Sequence, residues 1–434
     1  MGLINYGVAL LLFTLAFTYL PRLFSPKLKP HIDGYFHPMY RKVADTLRDN
    51  AESGKEQGAA FSVYHRGEVV VDMWAGYADE EAGRQWSRDT MSVVFSVTKG
   101  VAAVTVARMV DMGWLDYKKP VAHYWPGFAQ NGKGEITVEQ LLGHQGGLVS
   151  LGANKTSLRE YRDNQEAFTR RLEEVTPLWE PGTAHGYHAI TYGFYLDTLV
   201  RMADPKHRNM TQIFREEIAE PFGIDFHIGL PKSLSHRVAR VHFMSDIALI
   251  ISSMKSWDLF HFFASVALYP ESLSAKAMTV LETKNTALND PEERSIGQSA
   301  FLGIGTARSV AKLYSYMAMG GSFKGRQLLK PETWKLITSS LKTAQDLVIT
   351  TLVAEWGRGV GFRVLPHSKY KGQKVIGNAG YGGQVGYFDP VNQLSVVYIT
   401  NHASPHGLWD DPRFLDLEAA LYDCLEHTIE GKHP

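Results

Sequence analysis

Strand-forming runs gather at the two ends of this chain and are scarce between them, and strands need partners to be stable. Residues 59–64 and 69–74 are β-branched and aromatic runs joined by His65-Arg66-Gly67, which reads as a hairpin turn. Near the other end, residues 359–364, 374–377, 383–388 and 394–400 read as successive short strands. The stretch of about 150–350 is mostly helical and loop-like, punctuated by Pro and Gly. The arrangement that pairs these strands is an α/β fold. It has one antiparallel sheet built from both chain ends and flanked by helices, with a mostly helical subdomain inserted at about 110–310. Residues 40–50, 100–112 and 414–427 are expected helices, the second stopped by Gly113.

Composition narrows the function class. With 434 residues, 44% of them hydrophobic, the chain can bury a sizeable core. Its 45 basic and 45 acidic residues leave no net field that would favour nucleic acid. Cys424 is the single cysteine, so an internal disulfide and thiolate metal sites are excluded, and it reads as a buried, inert thiol. None of the 17 histidines forms a His-x-His or His-Glu-x-x-His pattern, so neither a metal nor a cofactor is expected.

Residues 3–20 are nearly all apolar apart from Asn5, Tyr6 and a few Thr and Tyr. As a helix they would span about 27 Å, marginal against a hydrocarbon core of about 30 Å. Residues 1–24 therefore read as a single-pass membrane anchor and 25–34 as a linker, with 35–434 as the catalytic domain. A cleaved signal peptide is the alternative, but it would want a basic leader and a small-residue cleavage site, and neither is present. Arg22, Lys27 and Lys29 follow the segment and point the remainder to the cytosolic side. The sequons at Asn154 and Asn209 would matter only on the lumenal side, and the side stays open.

Three motifs carry chemistry. Ser-x-x-Lys occurs five times, at Ser96/Lys99, Ser252/Lys255, Ser309/Lys312, Ser339/Lys342 and Ser368/Lys371, so the spacing alone selects nothing. Context selects Ser96: Thr90-Met-Ser-Val-Val-Phe-Ser-Val-Thr-Lys-Gly100 leads from an extended run into a helix. There the two side chains share a face, and free backbone N–H groups lie near the serine. A lysine buried at that point sheds its proton easily and can act as a base. The second motif is Pro181-Gly-Thr-Ala-His-Gly-Tyr187-His-Ala189, whose Pro-Gly turn would present Tyr187 to a cleft. The third, Gly377-Asn-Ala-Gly-Tyr-Gly-Gly-Gln-Val-Gly386, has the glycines of a strand that another backbone or a ligand approaches closely. It leads to a turn at Tyr387-Phe-Asp-Pro390 and not to a helix, which excludes a dinucleotide-binding loop.

In this order the three motifs resemble those of class C β-lactamases, family VIII carboxylesterases and penicillin-binding proteins, and the chain also looks like animal β-lactamase domain-containing proteins. Further stretches are similar, among them Gly113-Trp-Leu-Asp116, Pro120-Val-Ala-His-Tyr-Trp-Pro126, residues 136–148, Gly305-Thr-Ala-Arg308 and residues 325–333. The likeness covers about 35–425. It implies a β-lactamase/transpeptidase-like fold, with Ser96 as the acylated nucleophile and Lys99 as its base. Tyr187 would pass the proton to the leaving group, and the backbone N–H groups of Ser96 and Tyr381 would form the oxyanion hole.

Two departures bear on substrate. Where the family's tyrosine motif usually ends in Asn, this chain has Ala189, and His188 beside it is either a replacement contact or packing. Where the strand motif usually opens with Lys or His, it has Asn378-Ala379-Gly380, so Asn378 and Gly380 would line the substrate site without a cation. His144, in Gly-His-Gln-Gly-Gly147, is expected as support near the site. The resemblance with these changes implies a serine hydrolase acting on ester or amide substrates in preference to β-lactams. Its partner would be a small-molecule or lipid-like acyl compound. The alternative is a non-catalytic membrane scaffold or filament former, and self-assembly is left open. A cell-wall transpeptidase or D-aminopeptidase would want the cation that Asn378 lacks.

Overall fold

The computed structural model describes residues 29–429 except 255, 283 and 284. The chain divides between Pro30 and His31, and the unit beginning at His31 is described by itself. Its centre is an antiparallel sheet of β1 (Ile32–Phe36), β2 (Gly58–His65), β3 (Glu68–Asp79), β4 (Lys342–Gln345), β5 (Val353–Trp356), β6 (Gly361–Val364), β7 (Lys374–Gly380), β8 (Gln384–Asp389) and β9 (Leu394–Thr400). Across the sheet the order is β1-β3-β2-β9-β8-β7-β6-β5-β4. The early and late strand runs meet where β2 pairs with β9, placing Phe61 opposite Tyr398 and Val63 opposite Val396. The expected antiparallel sheet of a β-lactamase/transpeptidase-like fold, built from both ends, is what forms.

Period-two alternation explains the two cores. Phe61, Val63, Val396 and Tyr398 face one way, onto Val43 and Leu47 of α1 (Arg41–Glu52) and Phe414, Leu417 and Leu421 near the C-terminus. Ala60, Trp74, Val397 and Ile399 face the other way, toward α2 (Val97–Asp111) and the helical part that includes α3 (Thr191–Ala203) and α4 (Ala307–Ala318). The hairpin between β2 and β3 turns through Arg66 and Gly67, both at positive φ (53° and 79°), the backbone of a primed two-residue turn. The chain closes with α5 (Pro412–Ile429) on the first face, clamped by Arg363, whose two guanidinium nitrogens reach Glu418 at 2.7 and 2.9 Å.

Three elements differ from expectation. β1 begins within the residues read as linker, because the short run Ile-Asp-Gly-Tyr-Phe, interrupted by Asp and Gly, becomes a strand by pairing with β3. β4 lies in the stretch read as mostly helical and loop-like, since Lys-Thr-Ala-Gln has little apolar patterning of its own, and β5 falls between that stretch and the first expected strand. The serine-bearing helix begins at Val97, three residues before the expected start, and its first turn, Val-Thr-Lys-Gly, is buried throughout.

The single-pass membrane localisation is corrected. Among the described residues no helix is long and apolar enough to cross a membrane. The longest of them, α5, has 18 residues but carries Arg413, Asp416, Glu418, Asp423 and Glu426. Residues 1–24, on which the expected anchor and its membrane contact rested, lie outside the described residues.

Candidate active site

α2 begins in a constrained way. Phe95 is held at φ +46°, a left-handed conformation that costs a non-glycine residue about 1–2 kcal/mol. Ser96 follows as the residue preceding the helix, and its side chain makes no capping hydrogen bond. The hydroxyl that would ordinarily cap is thus free for other partners. The helix is buried almost all round, and Lys99, one turn on, is 0% exposed.

Four groups converge on the start of this helix. Lys99 Nζ lies 3.1 Å from Ser96 Oγ, 2.8 Å from the Ala189 carbonyl oxygen and 2.9 Å from that of Ala300. The Tyr187 hydroxyl donates to Ser96 Oγ at 2.7 Å. Its ring stacks on Trp356 at 5.5 Å and 12° between planes, and Lys99 Nζ sits 4.8 Å from the ring centre. Burial pushes the lysine well below its ordinary range and pushes the phenol up. No carboxylate is among the hydrogen-bond partners of Lys99, so nothing there restores its charge.

The fourth group is the end of β7. A Cβ on Gly380 would sit 2.6 Å from the Val94 carbonyl oxygen and 3.1 Å from Ser96 N. Only glycine lets the strand approach the helix start this closely. The next residue, Tyr381, turns its ring onto Phe95 (5.6 Å, edge-on) and Phe243 (6.5 Å, stacked). Aromatic rings therefore lie against Phe95, the residue before the serine, while Tyr187 reaches the serine itself.

Ser96, Lys99, Tyr187, Gly380 and Tyr381, singled out in the sequence, come together; His188 and Asn378 do not join them. His188 is 0% exposed, with Nδ1 2.8 Å from the Gly186 carbonyl and Nε2 accepting the Leu148 N–H at 2.9 Å. Both ring nitrogens are spent on backbone, and burial lowers its pKa to about 3, so it is a neutral brace. Of its two readings, packing is the one its contacts fit. Asn378 is 4% exposed and lies a turn below the site, its Oδ1 2.6 Å from where a Cβ on Gly100 would be. His144 is buried with its ring 5.0 Å from that of Tyr187, and its Nδ1 accepts the His188 N–H at 3.2 Å. Cys424 is buried.

Several groups here carried no signal in sequence. The Ala189 and Ala300 carbonyls hold Lys99, yet any residue has a carbonyl. Trp356 and Asp346 belong to stretches far from every motif, and Asp346 Oδ1 accepts the Tyr187 N–H at 3.2 Å. Among the described residues no group of three or more His, Cys, Asp or Glu is arranged to hold a metal ion.

Comparison with known proteins places this geometry. Residues 43–421 match the family model described as beta-lactamase. The chain is 32% identical over 405 residues to the esterase/beta-lactamase LipL of Mycobacterium tuberculosis, covering 91% of this chain and 88% of that protein. A family VIII carboxylesterase structure superposes with a TM-score of 0.79 at 32% identity, over 91% of this chain and all of the other (100%). A penicillin-binding protein homologue from Caulobacter crescentus gives a TM-score of 0.75 at 31% identity, with the same coverage of 91% and 100%. The narrower likeness to animal proteins finds no support among these.

Proposed function

The chain is a serine hydrolase of the beta-lactamase family, and from that premise we propose that it cleaves neutral esters, and amides more slowly, through an acyl-Ser96 intermediate. The observation that carries this is the convergence of a fully buried Lys99 amine and the Tyr187 hydroxyl on Ser96 Oγ. A neutral amine has two N–H donors and one lone pair. The two carbonyls of Ala189 and Ala300 take the donors, and the lone pair is left facing Ser96 Oγ. The serine hydroxyl can then donate to the amine while it accepts from Tyr187. With the amine neutral every proton has a place, and burial favours that uncharged form.

As Ser96 Oγ bonds to the substrate carbonyl carbon, its proton passes to Lys99 Nζ. The carbonyl π pair moves to oxygen, where the N–H groups of Ser96 and Tyr381 stabilise the developing charge. On collapse the bond to the leaving oxygen breaks. That oxygen takes the Tyr187 proton, and Tyr187 is replenished from Lys99. A water molecule then attacks the acyl carbon by the same route in reverse and frees Ser96.

Ala189 cannot bind a substrate amide as asparagine would, and buried Asn378 supplies no cation for a substrate carboxylate. Both features favour neutral, apolar acyl groups over β-lactams and over peptides with a free carboxylate. The relatives are hydrolases, and the scaffold alternative has no support among them. Ser96→Ala should abolish turnover of a short-chain nitrophenyl ester; hydrolysis by that variant at the wild-type rate would refute the reading.

A further inference from the structure

We propose that Asp346 is a positioning residue that aims the Tyr187 hydroxyl at Ser96; the inference rests on the acyl-transfer reading above. Asp346 follows β4, in a stretch that no motif marks, yet its side chain is 0% exposed. One carboxylate oxygen, Oδ1, gathers three backbone N–H groups: Tyr187 at 3.2 Å, Val348 at 2.8 Å and Ile349 at 2.8 Å. A second link runs alongside, from the Leu347 N–H to the His185 carbonyl at 3.0 Å. The segment carrying Tyr187 and the loop of residues 346–349 are thus tied at two neighbouring points.

The Asp346 bond is the link that reaches Tyr187 itself. Hydrogen bonds to a charged acceptor are about twice as strong as neutral ones, and here three donors share one oxygen. The other oxygen, Oδ2, has no hydrogen-bond partner and lies 3.8 Å from Nε2 of the equally buried His185. Burying a carboxylate costs free energy unless its bonds repay it. Here two of those bonds, at 2.8 Å, fix the carboxylate within its own loop, and the third, at 3.2 Å, carries it across to the Tyr187 backbone. Val348 and Ile349 also pack in one apolar cluster with Tyr187, Val149 and Trp179. The tyrosine is therefore gripped at its main chain by Asp346, on its ring face by Trp356 and at its hydroxyl by Ser96. Release of the main-chain grip lets the hydroxyl drift from its 2.7 Å contact, and displacements near 1 Å in such sites cost about 10²-fold in rate.

The test is kcat and KM for a nitrophenyl ester across a small set of variants, with folding checked by circular dichroism. Asp346→Ala removes the acceptor and should lower kcat about 10- to 100-fold with KM little changed. Asp346→Asn keeps an oxygen for the three N–H groups and should restore most of the loss. Ser274→Ala removes a hydroxyl that donates to the Val348 carbonyl, loosening the same loop without touching Tyr187, and should leave kcat unchanged. If Asp346→Ala does not fold, Asp346→Glu makes the same decision, since one extra methylene displaces the acceptor and should slow kcat. A wild-type kcat in Asp346→Ala or Asp346→Glu overturns the proposal, as does an Asn variant no faster than a folded Ala variant. Tyr187→Phe, measured alongside, separates the two levels. A wild-type rate there sinks the acyl-transfer reading, whereas a slow Tyr187→Phe beside a fast Asp346→Ala sinks only the role of Asp346.

Discussion

Lys99 has the ordinary affinity of a lysine for its proton only when the chain is unfolded. Folded, it is fully buried beside two carbonyls and a hydroxyl, and it gives the proton up far below 10.5. Two consequences differ in kind. Ester hydrolysis should lose rate on the acid side with a one-proton slope, as the amine fills its lone pair; a flat profile down to the range of ordinary carboxylates would contradict a lysine base. Stability behaves differently. Between the folded and unfolded pKa values the unfolded chain binds one more proton, so wild-type stability rises with pH there. Lys99→Met lacks that dependence. It should be inactive yet more stable than wild type at pH 7, with the gap closing toward pH 10, as read by urea unfolding at both values. An equal gap at both would mean that the folded lysine keeps its charge. Tyr187→Phe should lower kcat by about 10²–10⁴, the usual worth of a positioned proton donor. The trio of Ser96, Lys99 and Tyr187 was legible because each sits in a patterned motif. Asp346 and the carbonyls were not, because their roles exist only through contacts between distant stretches. His188 was ambiguous for a related reason: both its partners are backbone atoms, which leave no trace in side-chain spelling.

At the scale of elements, the site depends on how closely β7 approaches the start of α2. Gly380→Ala would place a methyl 2.6 Å from the Val94 carbonyl, closer than any real carbon contact. The strand must retreat, costing about 1–3 kcal/mol as overpacking does and pulling the Tyr381 N–H away from Ser96. Chemical denaturation and ester kinetics on one preparation check both effects, and normal values of either would show that strand and helix do not meet as described. Strands with alternating or densely apolar residues, β2, β3, β8 and β9, were readable from their spelling. β1 and β4 were not, since β1 is short and broken by Asp33 and Gly34, β4 is mostly polar, and the extended form of both is imposed by a neighbouring strand through backbone hydrogen bonds. The helix start at Val97 escaped the pattern because a helix buried on every side shows no 3.6-residue periodicity to read.

The unit that begins at His31 is closed by joining its early strands to its late ones. β2 and β9 pair although more than three hundred residues separate them, and α1 and α5 cover that seam. Arg363 and Glu418 pin α5 to β6 with both partners largely buried. Arg363→Met leaves the Glu418 carboxylate buried and uncompensated, which should cost about 3–5 kcal/mol. Neither residue touches Ser96, so the esterase rate per folded molecule should be unchanged, and Arg363→Met combined with Glu418→Met should recover much of the loss. A single variant as stable as wild type would mean that the clamp contributes nothing. The seam was visible in the sequence as strands at both ends, whereas the clamp, two charged residues 55 positions apart, was not.

The central claim is that Ser96 becomes covalently acylated, and intact mass spectrometry tests it most directly. Incubation with a fluorophosphonate ester probe should add one phosphonyl group to the wild-type chain, mapped to Ser96, with fluoride lost. Ser96→Ala should gain nothing. An unmodified wild-type chain, or an adduct that persists in Ser96→Ala, would contradict it.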